Sequence, residues 1–255
     1  MPSESVRQRW LAEQRAALDA LGPLRLPEIV PSRRDFTQFV ATQKQGIALV
    51  PRLQRRNPET GRTWPGLDVA DFARACDDVD VGALAVRTAA LFDATMADLD
   101  AVVGVVTAPV LHDDVCIARE QIFAARLHGA DAIVLPADAL DAAALRELDG
   151  VATSMHMAVV VDVADAAELT AALALPTACI GLRCSGGDGY ADLQAVAVLA
   201  ADVPRRRTAL LLSEVRRLDE LPRLAGRIDA AVVGDALLDA ADPAAAIAAF
   251  LAESA

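Results

Sequence analysis

Residues 108–150, APVLHDDVCIAREQIFAARLHGADAIVLPADALDAAALRELDG, hold one unit twice over. An apolar run, 108-APVLHDD, leads into the helical stretch 117-IAREQIFAARLHG, and a second run, 131-DAIVLPA, leads into 140-LDAAALRELDG. In the first helix Ile122, Ala125 and Leu127 recur on a helical period, and Gly129 stands where a C′ glycine stops the chain. The apolar runs are continuous rather than alternating. That is the pattern of strands buried on both faces, as in a parallel sheet covered by helices. The unit extends in both directions: 46-GIALVPRL, 82-GALAVRT, 157-MAVVVDV, 178-ACIGLRC, 208-TALLLSEV and 230-AAVVGDA bring the strands to eight. Helical stretches such as 68-DVADFARACDD and 165-DAAELTAALAL lie between them. Strict alternation with right-handed crossovers leaves an open doubly wound sheet or a closed barrel. Eight units in 255 residues, with no linker or second domain, fit the α/β class as a (β/α)8 TIM barrel, which takes about 250 residues.

Residues 1–45 precede the first run and read as an N-terminal helical extension to a barrel of residues 46–255. Its first helix has Ser3 or Ser5 as N-cap; a second lies in 32-SRRDFTQFVATQKQG and ends at Gly46. The stretch 54-QRRNPETGRTWPG reads as a long structureless first βα loop, a feature that in compact domains is functional or mobile. Its Trp64 is either a lid over a ligand or packing beneath the loop.

Hydrophobic residues make up 54% of the chain but aromatics only 4%, so the core must be built from Ala, Val and Leu. A net charge of −12 disfavours nucleic acid and anionic membrane as partners, while leaving room for a small anion at a local arginine cluster. No apolar run reaches the roughly 18 residues of a membrane span, and MPSESVRQRW lacks the apolar stretch of a signal peptide. A cytoplasmic location is expected. Cys76, Cys116, Cys179 and Cys184 have no zinc-like spacing and read as reduced core thiols. His112, His128 and His156 lie on separate elements. Neither a metal nor a cofactor is expected.

Motifs at the strand ends resemble those of indole-3-glycerol-phosphate synthases. That family's first loop carries a Ser-Pro-Ser-x-Gly motif, matched here by 57-NPETG. Its third strand, Pro-Val-Leu-Arg-Lys-Asp-Phe, corresponds to 109-PVLHDDV, followed by 120-EQI. Its Ala-Arg-x-x-Gly-Ala-Asp-Ala-Ile corresponds to 125-ARLHGADAI. Further matches are 162-DVADAAEL, 180-IGLRCSG, 211-LLSEV and 232-VVGDALLDAADP, in order over nearly the whole chain. The resemblance implies decarboxylating closure of an indole ring on an anthranilate-derived ribulose phosphate. In the family a lysine after strand 3 is the acid, glutamates after strands 1 and 5 assist, and backbone amides after strands 7 and 8 hold the phosphate.

Most of those positions are changed. Arg52 stands at the strand 1 glutamate and Gln54 at the lysine two residues on. Asp113 replaces the strand 3 lysine, with His112 before it. Asp162 is a shortened strand 5 acid, and Arg183 replaces a strand 6 asparagine. Glu214 is kept, but Arg216 stands where a glycine follows it; Gly234 is kept and Asp235 lies beside it. An aspartate in the lysine's place, with the ordinary carboxyl pKa of about 3.9, is ionised at neutral pH and donates no proton. A favourable contact of about 4 kcal/mol between charges ~4 Å apart at an effective dielectric of ~20 becomes a penalty when the sign is reversed. As an N-cap, Asp235 would itself occupy the phosphate-binding amides.

His112, Asp113, Asp162 and Glu214 are therefore the candidate catalytic residues. Arg52, Gln54, Arg183, Arg216, Gly234 and Asp235 are the candidate ligand-binding set. The arginines and acids form either an anion site with guanidinium forks or a self-satisfied network filling the mouth. Three functions stay open. The chain binds or transforms a small anionic metabolite, a phosphosugar or a carboxylate; it is a noncatalytic barrel with a protein partner; or it is an active synthase with altered acid and base residues.

Overall fold

The computed structural model describes residues 5–20, 29–41, 46–79, 81–175 and 179–253. Eight parallel strands close into a barrel: β1 (Ala48–Leu53), β4 (Leu84–Val86), β5 (Val110–Val115), β6 (Ala132–Pro136), β7 (Ala158–Val163), β8 (Cys179–Leu182), β9 (Ala209–Leu211) and β10 (Ala230–Val233). Seven fall within one of the eight apolar runs, and β5 passes the end of 108-APVLHDD by one residue, to Val115. Closure pairs β1 with β10 (Val50 opposite Val232) and with β4 (Arg52 opposite Ala85). The helices between strands include α3 (Val69–Asp77), α4 (Met96–Val103), α5 (Arg119–Leu127), α6 (Ala142–Ser154), α7 (Ala166–Leu173) and α8 (Leu193–Ala201). Asp68, Asp141, Asp165 and Asp192 cap four of them by accepting from the second and third backbone N–H groups. Gly129 follows α5 at φ +88°, the left-handed C′ conformation its position suggested. Leu127 departs from the stripe read for α5: Ile122 and Ala125 are buried, but Leu127 is 43% exposed, because two residues is more than half a helical turn.

The period of two along each strand divides the core in two. One set of positions faces the helices, including Leu49, Leu84, Val110, Ile133, Val161, Ile180, Leu211 and Val233. The alternate set fills the barrel: Ala48 and Val50, Ala83 and Ala85, Leu111, Ala132 and Val134, Val160, Cys179, Leu210 and Leu212, Ala230 and Val232. Phe36 and Val40 of α2 (Phe36–Ala41) pack onto this inner set. Gly181 keeps its place there because a Cβ would stand 2.4 Å from Leu212 Cδ1 and 2.8 Å from Val160 Cγ1.

Helix α1 (Val6–Ala20) packs across strand C-terminal ends through Trp10 and Leu11, which meet Leu91, Phe92 and Val115. Ser5 is its N-cap in a reciprocal box: its hydroxyl accepts from Gln8 N–H and Gln8 Oε1 accepts from Ser5 N–H. Ser3 lies outside the described residues. The second helix is Phe36–Ala41, with Asp35 accepting from Gln38 N–H; residues 42–45, before Gly46, lie outside the described residues. The first βα loop is not structureless. It folds into a two-stranded hairpin, β2 (Arg56–Asn57) against β3 (Arg62–Thr63), turned at Gly61 with φ +76°. Among the described residues no helix is long and apolar enough to cross a membrane, and no cluster of His, Cys, Asp and Glu could hold a metal. Cys76, Cys116 and Cys179 are buried free thiols, and Cys184 is half-buried.

Gly181→Ala is expected to overpack the barrel interior and cost about 1–3 kcal/mol, read as a lowered midpoint in urea unfolding.

Candidate active site

The inner positions continue past the apolar layers towards the C-terminal ends of the strands. Counting by twos, Val50 leads to Arg52, Ala85 to Arg87, Leu111 to Asp113, Val160 to Asp162, Leu212 to Glu214 and Val232 to Gly234. One strand period therefore carries six residues into one mouth. Arg183, two residues past Gly181, joins them there.

Arg52 is at the centre. It is 2% exposed, and all three of its nitrogens are used. Nε donates to Asp113 Oδ2 at 2.5 Å, Nη1 to Glu214 Oε1 at 2.8 Å, and Nη2 to the carbonyl of Leu212 at 2.9 Å. Burial works against its charge, but Asp113 and Glu214 outweigh burial and hold the guanidinium pKa above its ordinary value. For Glu214 burial wins over Arg52, and its carboxyl pKa is raised.

Glu214 also settles the fate of the amides after β10. Its Oε2 accepts from the backbone N–H of Gly234 at 2.9 Å and of Asp235 at 3.2 Å. The N-cap expected of Asp235 is not formed. Gly234 occupies the cap of the four-residue helix α9 (Asp235–Leu238), and the Asp235 carboxylate turns to Gln54 (3.2 Å), Asn57 (2.9 Å) and Thr60 (2.6 Å). Gln54 spans both acids, donating to Glu214 Oε1 at 3.2 Å as well. The 57-NPETG loop is thereby pinned to the barrel. Trp64 donates to Asp239 at 3.0 Å and does not line the central cavity.

A second cluster lies beside the first. Asp162 accepts from Arg183 Nε at 2.8 and 3.1 Å and pairs with Arg7 of α1 at 2.8 Å. Arg7 also binds Asp138 through two parallel bonds of 2.9 and 2.7 Å, which lower the Asp138 pKa despite partial burial. Arg183 reaches Asp138 at 3.5 Å and Glu168 at 3.8 Å.

Two predicted site residues stand apart. Arg216 is half-exposed, paired with Asp188 and stacked 4.6 Å over the Tyr190 ring, because strand geometry ends at Leu211. His112 occupies the outward phase of β5. Its Nε2 lies 2.8 Å from Thr88 Oγ1, and its Nδ1 lies 3.9 Å from Cys116 Sγ. Burial lowers its pKa despite Asp114 and Asp113 nearby.

Three residues of this region were not singled out from the sequence. Trp10 donates to Asp114 at 3.2 Å and meets Phe92 edge-on at 5.1 Å. Arg7 arrives from the same helix. Arg87 is buried, its Cζ 4.2 Å over Trp10 and 4.4 Å over Phe92. The signal for Arg87 was available: it sits in phase with Ala83 and Ala85, as Arg52 does with Ala48 and Val50. No comparable signal marks Trp10 or Arg7, whose positions depend on how α1 packs. The cavity enclosed by Trp10, Arg52, Arg87, Asp113, Arg183 and Ser213 measures about 30 Å³. A concavity of about 680 Å³ opens at the other end of the barrel, but its Arg34 is committed to the carbonyls of Val106, Ala108 and Gly129 and its Arg207 to those of Leu173 and Leu175.

Residues 5–250 match the family model for indole-3-glycerol phosphate synthase. The chain belongs to the indole-3-glycerol phosphate synthase family. Relatives of that name include one from Mycobacterium ulcerans (strain Agy99), 32% identical over 82% of this chain and 78% of its own. Another, from Leptothrix cholodnii (strain ATCC 51168 / LMG 8142 / SP-6), is 30% identical over 91% of each chain. Among solved structures, KGPDC from Streptococcus mutans aligns with a TM-score of 0.60 at 15% identity, over 82% of this chain and 99% of its own. Thiamine phosphate pyrophosphorylase from Pyrococcus furiosus aligns at 0.57 with 12% identity, over 82% and 96%. These two likenesses show the barrel alone.

Arg52→Met orphans two buried carboxylates and is expected to cost about 3–5 kcal/mol; adding Asp113→Asn should restore part of the loss in a double-mutant cycle of urea unfolding. A pH effect is expected from His112, whose folded pKa lies below its ordinary 6.5. Below that pH the unfolded chain takes up a proton that the fold refuses, so this contribution is full above about pH 6.5 and falls as pH drops. Urea midpoints taken from about pH 8 to 5 should fall less steeply for His112→Gln than for the natural chain.

Proposed function

We propose that this family member does not carry out the indole-forming ring closure and instead binds a small anionic metabolite at the C-terminal mouth of its barrel. The observation that carries the first half is the absence of a lysine. Lys44 is the chain's single lysine, and no lysine is among the residues that line the mouth. Asp113 has the position of the family's acid and is engaged as an ion-pair partner of Arg52. Arginine does not replace a lysine acid, since a guanidinium stays protonated in proteins. His112 is directed away from the mouth. Of the other carboxyls there, Asp162 is paired with Arg7 and Arg183, and Glu214, with its raised pKa, is committed to Arg52 and the amides of Gly234 and Asp235.

The second half rests on charge. Arg7, Arg52, Arg87 and Arg183 converge on a mouth of an otherwise acidic chain. In a water-poor site guanidinium groups recognise carboxylate or phosphate through directed hydrogen bonds. The cavity of about 30 Å³ beneath α1 favours one other function, a barrel that is noncatalytic and acts through a protein partner.

Incubation with the carboxyphenylamino-deoxyribulose phosphate substrate is expected to yield no indole-glycerol phosphate above the uncatalysed rate; turnover at family-like rates would overturn the proposal. A small anion at 100 times its dissociation constant should stabilise the fold by about 2.7 kcal/mol, measured by thermal or urea unfolding. A barrel that works through a protein partner alone would show no such stabilisation by any carboxylate or phosphate.

A further inference from the structure

Arg87 is the arginine of the mouth whose hydrogen-bonding capacity is least used. It is 8% exposed, yet its Nε and Nη1 make no hydrogen bond. Arg7 also leaves Nη1 without a partner, but its other two nitrogens are held by Asp138 and Asp162. Nε of Arg87 stands 3.1 Å from Asp113 Oδ2, but in a direction that gives an ion pair without a hydrogen bond. That oxygen is already taken by Arg52 at 2.5 Å. Trp10 and Phe92 cover the guanidinium, at 4.2 and 4.4 Å, and ring faces compensate its charge without accepting N–H groups as an oxygen does. Burial and the neighbouring Arg52 work against the Arg87 cation, so its pKa is lowered while that of Arg52 is raised. A buried donor left unpaired is costly, and an incoming acceptor recovers that cost.

The surroundings define the acceptor. Arg87 lines the cavity of about 30 Å³, which has space for about two water molecules at roughly 10–15 Å³ each. That matches the two oxygens of a carboxylate better than the four of a phosphate. The amides that would hold a phosphate, those of Gly234 and Asp235, are filled by Glu214. Ser185 and Ser213, whose hydroxyls lie 3.1 Å apart, also line the cavity and can donate to a second oxygen. The walls Glu59, Arg183 and Ser185 are shared with an outer concavity of about 400 Å³, which also has Arg7 and Asp192 on its rim. The outer space sets charges of both signs, from Arg7, Arg183, Glu59 and Asp192, beside small apolar walls, suited to a ligand body that carries hydrogen-bonding groups.

We infer that the mouth is a carboxylate site whose anchor is Arg87, taking a small hydrophilic monocarboxylate with its head in the inner cavity and its body in the outer one. This rests on the proposal that the mouth holds a small anion, and specifies its anchor and chemical class.

The test uses the full chain labelled with ¹⁵N, observing guanidinium N–H signals during titration with sodium acetate or sodium phosphate at constant ionic strength. The Arg87 signal is assigned as the one missing from Arg87→Lys. Acetate is expected to shift it saturably, phosphate to leave it in place, and Arg87→Lys to weaken acetate binding at least tenfold. Saturable acetate binding that leaves the Arg87 signal unmoved, or a phosphate shift equal to that of acetate, would overturn the inference while leaving an anion-binding mouth intact. If neither anion moves any mouth signal of the natural chain, both proposals fall. Because the decisive signal is read on the natural chain, the outcome does not depend on the affinity of the variant.

Discussion

The mouth of this barrel is organised around one guanidinium removed from water. Arg52 projects inward from β1 and meets Asp113 of β5, Glu214 beyond β9 and a backbone carbonyl. A buried charge is tolerable only when its partners are close and its donors are filled. The requirement spreads outward from there. Glu214 must hold Arg52 and, with its other oxygen, the two amides after β10; Asp235, displaced from those amides, takes Gln54, Asn57 and Thr60. The conformation of the first loop is thus tied to the Arg52–Glu214 ion pair through Asp235, just beyond the neighbouring strand β10.

Opposite charges at the mouth are paired, and Arg52 and Asp113 bond to each other. Arg183 and Asp162 form a second such pair, with Arg7 supplied by α1. Glu214 meanwhile fills the two amides after β10. Arg87 stands outside this pairing. Its acid contact, Asp113, is shared with Arg52, and two of its nitrogens are unspent at the edge of a cavity. Placed beside Trp10 and Phe92, it gives the mouth a demand for an oxygen acceptor that the surrounding side chains do not meet.

The strands were legible because a parallel barrel strand is apolar on both faces, which gives continuous runs such as 131-DAIVLPA without reference to any distant residue. The residues of the mouth were half legible. Arg52, Asp113, Asp162, Arg183 and Glu214 lie at or just beyond the ends of those runs, where barrel strands deliver side chains to one rim. Phase within the strand then decided which residues face inward. Treating the strand ends as equivalent admitted His112, one position out of phase, and Arg216, beyond the point where the extended geometry stops; it passed over Arg87, which is in phase. The hairpin at Arg56–Thr63 was hidden because its two-residue strands are too short for a period to show.

The sequence by itself determined the order of strands and helices, the closure into a barrel and the end of it where charged side chains gather, because these depend on local periodicity and on a chain length that fits eight units. Only the tertiary structure decided who pairs with whom. Glu214 rather than Asp235 fills the amides, α1 brings Trp10 and Arg7 across the rim, and Arg87 is left with unpaired donors, because each of these contacts joins residues tens to well over a hundred positions apart. Hydrogen-bond direction at a distance near 3 Å decides such pairings, and it is fixed by the packing of whole elements, not by any stretch of chain read alone.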